Sequence, residues 1–248
     1  MKLLISVRDE DEAAAAVAGG ADIVDVKNPD EGSLGAQQPH VIAAIARMIP
    51  VGIDVSASIG DVPNLPGTVA LAGLGAALCG IRFVKVGLLG TRTPAEAARL
   101  LEVLSGALTL ANRRIGLVAC AYADADHVGS LDPILLPQMA APFVEGCMID
   151  TAIKDGRSLF HYLPDAAVAR FIERCRDRGL FAALAGSLRP EDFSRVRTHG
   201  ADIVGIRSAA CLGGRGGTLS PERVRALKAS LIASSPCAHA SPDRLAAL

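Results

Sequence analysis

The sequence predicts an α/β protein, a single (β/α)8 TIM barrel, on three observations. Its 248 residues are the length of one such barrel, enough chain to bury most of the surface that the unfolded form exposes. Short apolar runs alternate with Ala-rich stretches of helical period along the chain, the pattern of repeated βα units. The octapeptide GADIVDVK ending at Lys27 recurs as GADIVGIR ending at Arg207, 180 residues later. On strands two and eight the copies lie six units apart, or about 30 residues per unit, close to the ~31 that a barrel of eight such units requires.

The strands follow in order. KLLIS at 2–6 opens the barrel, and the acids Asp9 to Glu12 then mark a helix start. IVDVK at 23–27 and GIDV at 52–55 are the second and third strands, and RFVKVG at 82–87 the fourth. Thr93-Pro94-Ala95-Glu96 is a capping box with Pro in the first turn, so a helix follows the fourth strand. IGLVAC at 115–120, GCMID at 146–150, FAALA at 181–185 and DIVGIR at 202–207 complete the eight. Gly20, Gly179 and Gly200 fall where helices should stop, and Ser220-Pro221-Glu222 starts the last one. Residues 1–232 form the catalytic barrel; 233–248, ASSPCAHASPDRLAAL, have no period and are expected to be a loosely attached tail. A doubly wound open sheet is the structural competitor, but Val7-Arg8-Asp9 stands where its GxGxxG would follow the first strand.

Composition narrows the function. With 25 basic and 26 acidic residues and no basic block, nucleic acid is not an expected partner. No apolar run approaches the roughly 18 residues of a membrane span, and the opening MKLLISVRDEDE is too short in its apolar part for a secretory signal. A cytoplasmic protein is expected, and a homo-oligomer is compatible with the sequence. Six cysteines without a CxxC read as reduced thiols. Five histidines without HxH or HExxH spacing predict no metal, and no cofactor is expected.

A barrel of this kind does its chemistry at the C-terminal ends of its strands, so charged residues that close apolar strands are the candidates. On the second strand the period of two puts Asp25 and Lys27 on the inward face. Lys85 on the fourth strand and Asp150 on the sixth arrive at the same end, with Lys154 just beyond. The pair Asp25 and Lys27 alone reads equally as a salt bridge plugging the barrel. Three lysines and two aspartates together suit a class I aldolase, because clustered amines depress one another's pKa and free a lone pair for a carbonyl. Position favours Lys27 as the imine-forming residue, with Asp25 beside it to relay protons; Lys154 lies in a loop, and Phe83 stands two before Lys85. For phosphate, the seventh loop offers Gly186 and Ser187, and the eighth Arg207, Gly213 and Gly214 with Arg215 nearby. Arg8 after the first strand is a further candidate, and the loop 28–35 could fold over a substrate. The partners these imply are small phosphorylated sugars.

The stretch GGADIVDVKNPDEGSLGA (19–36) resembles the signature of the (5-formylfuran-3-yl)methyl phosphate synthase family, as do 60–77, KVGLLGTR (85–92), 122–133, MIDTAIKDGRSLF (148–160) and LAGS (184–187). The resemblance runs from about residue 3 to 212, departing at His161 and Ser208. It implies a carbon–oxygen lyase that condenses two glyceraldehyde 3-phosphates into a furan aldehyde phosphate for methanofuran-type carriers. It also implies Lys85 as proton acceptor, with Asp25, Asp150 and Lys154 as proton carriers or lysine tuners. Another class I aldolase, a triose isomerase-like barrel and a non-catalytic sugar-phosphate sensor are the alternatives.

Overall fold

The computed structural model describes residues 1–111 and 113–233, so of the predicted tail only Ala233 falls among them. Eight parallel strands close into a barrel in sequence order. They are β1 (Lys2–Val7), β2 (Ile23–Val26), β3 (Asp54–Pro63), β4 (Phe83–Gly90), β5 (Gly116–Tyr122), β6 (Gly146–Asp150), β7 (Phe181–Leu184) and β8 (Ile203–Ile206). The helices on the first half are α1 (Glu10–Ala18), α2 (Pro39–Met48), α3 (Pro66–Ala77) and α4 (Pro94–Leu108). Short α5 (Ala125–Val128), α6 (Leu136–Ala140) and α7 (Leu159–Tyr162) precede α8 (Asp165–Asp177), α9 (Phe193–His199) and α10 (Pro221–Ala233). Among the described residues no helix is long and apolar enough to cross a membrane.

Alternation along each strand builds two separate cores. Outward residues such as Leu3, Ile5, Val24, Val84 and Leu184 pack under the helices. Inward residues such as Leu4, Ile23, Phe83, Val118 and Met148 fill the barrel. At its N-terminal end Phe83 and Phe181 meet edge to face, with ring centroids 5.8 Å apart. Glycines on the neighbouring strands make room for them: a Cβ at Gly116 would lie 2.5 Å from the Phe83 ring, and one at Gly146 2.3 Å from that of Phe181.

Most strands fall within a residue or two of their sequence positions; β4 runs three residues further, to Gly90, and β3 departs most. The sequence reads as strand only over 52–55, whereas the chain stays extended to Pro63. Its continuation SASIGD is small and polar, a composition that signals a loop in isolation. Pairing with β2 and β4 on either side overrides that propensity, with a register shift between Ser58 and Asp61 where the strand leaves the barrel. The helix caps agree with expectation: Thr93 and Glu96 form a reciprocal capping box, and Gly200 ends α9 in the left-handed conformation at φ 82°.

Candidate active site

The charged residues of the barrel interior form two groups. In the deeper one the Asp25 carboxylate, fully buried, accepts hydrogen bonds from Ser6 Oγ at 3.1 Å, Ser56 Oγ at 2.6 Å and Lys85 Nζ at 2.8 Å. Register brings these donors in, since Ser6 and Ser56 are the strand partners of Asp25 on its two sides. A buried ion pair persists only when its remaining valences are met, and the two serines meet those of the carboxylate. The hydrogen bonds of Asp25 thus go to Lys85 and the two serines, and it acts on Lys27 through its charge. Period two placed both on one face, but Asp25 turns sideways to Lys85 on β4.

Lys27 follows the last residue of β2 and is 4% exposed. Its Nζ donates to Ser33 O at 3.2 Å. Burial, with the positive charges of Lys85 and Lys154, lowers its amine to about 8; Asp150 is the strongest opposing influence and Asp25 a weaker one. Asp150, at the end of β6, is the carboxylate that acts on Lys27 most. Burial alone would raise its pKa. The charges of Lys154 and Lys27, with hydrogen bonds from Lys154 Nζ at 2.6 Å and Thr151 N at 2.7 Å, hold it at about 2. Lys154 Nζ also reaches Thr151 Oγ1 at 3.2 Å.

Lys27, Asp150 and Lys154 line one cleft at the C-terminal mouth of the barrel, together with Gly186, Ser187 and Arg215. In the seventh loop Gly186 (φ 99°) and Ser187 (φ 50°) are successive left-handed residues, and Ser187 is the one non-glycine of that kind among the described residues. A Cβ at 186 would lie 2.9 Å from Thr151 Cγ2, so the loop presses against the residue after Asp150. The N–H groups of Gly186, Ser187 and Leu188 make no backbone bond to a described residue. Consecutive N–H groups in such a turn form an anion-binding concavity.

The other phosphate candidates are placed differently. Arg207 borders the cleft, but Nη1 donates to Glu12 Oε2 at 2.8 Å and to Ser6 O at 3.0 Å, Nη2 to Glu12 Oε1 at 3.3 Å and Nε to Arg215 O at 3.0 Å. Its charge is spent on a carboxylate that is itself buried. Arg8 lies outside the cleft, 3.2 Å from Glu12 and 3.3 Å from Asp9. Gly213 and Gly214 form the exposed turn of a small hairpin, β9 (Cys211–Leu212) with β10 (Thr218–Leu219), away from the cleft wall.

Several residues were not singled out as site residues from the sequence. Ser6 carries a signal, a small polar residue on the inward phase of an apolar strand, whereas Ser56 lies just past the stretch that reads as strand. Ser33 carries none: its Oγ donates to Thr151 O at 2.7 Å, across 118 positions of sequence. That bond draws the loop 28–35 across the mouth from β2 to β6. Asp61 holds the same loop by accepting from Leu34 N at 3.1 Å, and Tyr122 Oη donates to Asp61 in turn.

A family model described as 4-HFC-P synthase matches residues 3–228. The chain belongs to that family. A (5-formylfuran-3-yl)methyl phosphate synthase of Methanopyrus kandleri is 50% identical over 211 residues, covering 85% of this chain and 89% of the relative. One of Methanocaldococcus jannaschii is 44% identical over 233 residues, covering 92% and 98%. Solved structures support the barrel of this 4-HFC-P synthase family member at lower identity. Phosphoribosyl anthranilate isomerase from Thermus thermophilus aligns over 94% of this chain and 99% of its own, with TM-score 0.62 and 18% identity. A 3-hexulose-6-phosphate synthase covers 92% and 99%, with TM-score 0.60 and 18% identity. Likeness at that level speaks for the fold alone.

Proposed function

We propose that this member of the 4-HFC-P synthase family condenses two glyceraldehyde 3-phosphates into (5-formylfuran-3-yl)methyl phosphate through an imine on Lys27. The balance closes: two C3H7O6P give C6H7O6P, one phosphoric acid and two waters. The carrying observation is the Lys27 amine, buried at the cleft and held at about 8 with Asp150 as its strongest carboxylate influence. A substantial neutral fraction near neutrality is what attack on a carbonyl requires.

In this reading one triose isomerises to dihydroxyacetone phosphate and its ketone condenses with Lys27 Nζ, releasing water. The other loses phosphate to give the enol that forms the carbon–carbon bond. Asp150 and Lys154, hydrogen-bonded at the cleft wall, exchange protons with these intermediates. Lys85 is the proton acceptor that the family resemblance implies, acting with Asp25, whose carboxylate lies 2.8 Å from its Nζ and takes up the ammonium proton first. The N–H groups of Gly186, Ser187 and Leu188 receive a phosphate. Methanofuran-type carriers would be the destination of the product.

The test is incubation of the pure protein with glyceraldehyde 3-phosphate, following near-ultraviolet absorbance and free phosphate. A conjugated furan aldehyde appearing with one phosphate per product is expected. Aldol or isomerase turnover without that absorbance would replace this reading with the plain aldolase or isomerase one.

A further inference from the structure

Arg215 stands apart from Lys154 and Arg207, which line the same cleft. Lys154 is paired with Asp150 and Arg207 with Glu12, whereas Arg215, half-buried, has no carboxylate partner among the described residues. Its Nη2 donates to main-chain oxygens only, Gly32 O at 2.7 Å and Pro29 O at 3.2 Å. Nε and Nη1 carry the remaining three N–H donors, and none of these is bonded to a described residue. Burial works against the charge of this guanidinium. A desolvated cation with open donors on a cleft wall is the arrangement that a phosphate completes, with charge-assisted and often bidentate bonds.

Its placement is built rather than incidental. Arg215 sits near the tip of the β9–β10 hairpin, where Gly213 and Gly214 take φ of 81°. A Cβ at Gly217 would lie 1.7 Å from Leu212 O, so the two arms touch at the base of the turn. Arg207 Nε donates to Arg215 O at 3.0 Å. The residue expected from sequence to bind phosphate thus anchors the main chain of another arginine that faces the cleft.

We propose that Arg215 is the side chain that reads the phosphate of the triose phosphate at Lys27, while its Nη2 braces the 28–35 loop against that same ligand. This rests on the proposed phosphorylated substrate. Bonds to Gly32 and Pro29 and bonds to phosphate use different nitrogens, so both can form at once. Arg207 is its positioning residue, acting through the Arg215 carbonyl.

The experiment compares native protein with Arg215→Gln and Arg215→Lys. Binding of inorganic phosphate is measured by calorimetry, and borohydride trapping at Lys27 is run with dihydroxyacetone phosphate and with dihydroxyacetone. A lost charge-assisted contact weakens phosphate binding by about 10- to 100-fold in Arg215→Gln. Trapping with the phosphorylated ketone falls by at least that factor, trapping with the unphosphorylated ketone falls by clearly less, the lost loop brace being common to both, and Arg215→Lys recovers part of the loss. Phosphate affinity within twofold of native, or an equal fall in trapping with both ketones, overturns the proposal, the second outcome pointing to a purely structural brace. Failure of the native protein to make the furan would count against the proposed reaction alone, because the phosphate arm is read without turnover.

Discussion

At the scale of single residues the site is a problem in proton placement. Lys27 has an amine near 8 in place of 10.5, so the rate of imine formation should rise with pH and level off above about 8. Stopped-flow or borohydride trapping against pH reads that limb. Asp150 is the strongest influence raising the Lys27 amine, so Asp150→Asn should move the inflection below its native position. It should also lower turnover by about 10²–10⁴-fold, as loss of a proton carrier does. An unmoved inflection would separate Asp150 from Lys27. The same shift bears on stability. Below pH 8 the folded and unfolded chains both hold the Lys27 proton and the burial penalty is complete. Between 8 and 10.5 only the unfolded chain holds it, so stability rises with pH. Lys27→Met is therefore expected to melt higher than native at pH 7, by up to roughly 3 kcal/mol, with the difference fading toward pH 10. The lysines and aspartates were legible because a charge closing an apolar strand is conspicuous. Their partnerships were not, since alternation gives the face of a side chain but not the direction it takes across the barrel interior, as from Asp25 on β2 past β3 to Lys85 on β4.

At the scale of elements, β3 and the glycines of β5 and β6 show what local sequence conceals. Ser56 and Ser58 look like loop residues until a strand on each side makes them interior. Gly116 and Gly146 fall inside stretches that read as strands, but why glycine stands there is not local: aromatic rings of neighbouring strands occupy the space of their side chains. Gly146→Ala should therefore overpack the barrel floor and cost about 1–3 kcal/mol, read as a lower Tm with imine trapping retained. A neutral effect would mean that the Phe181 ring can swing aside. The caps were legible because their signals are contained within four residues. Thr93→Ala should cost about 1 kcal/mol, since it removes the side chain that accepts from Glu96 N at 3.3 Å.

At the scale of the whole molecule, closure depends on joining the last strand to the first unit. β8 pairs with β1, and just above that seam the Arg207 guanidinium grips Glu12 of α1 with both side chains buried. Breaking a buried pair by removing one charge costs about 3–5 kcal/mol. Glu12→Gln should thus lower the denaturation midpoint markedly, and more than Arg8→Gln, since the Arg8 side chain is itself partly exposed. Similar midpoints for the two variants would remove the pair from the closure of the barrel. The fold was legible because eight units repeat one pattern; this clasp was not, because it joins residues 195 positions apart. The edge-to-face pair of Phe83 and Phe181 has a consequence of its own for traffic. Among the described residues a chamber stopped at its floor opens at the C-terminal mouth, so on the proposed reaction the incoming trioses, departing phosphate, both waters and the furan would take turns at the threshold between Arg215 and the seventh loop, and the catalytic cycle would be a queue as much as a sequence of bonds.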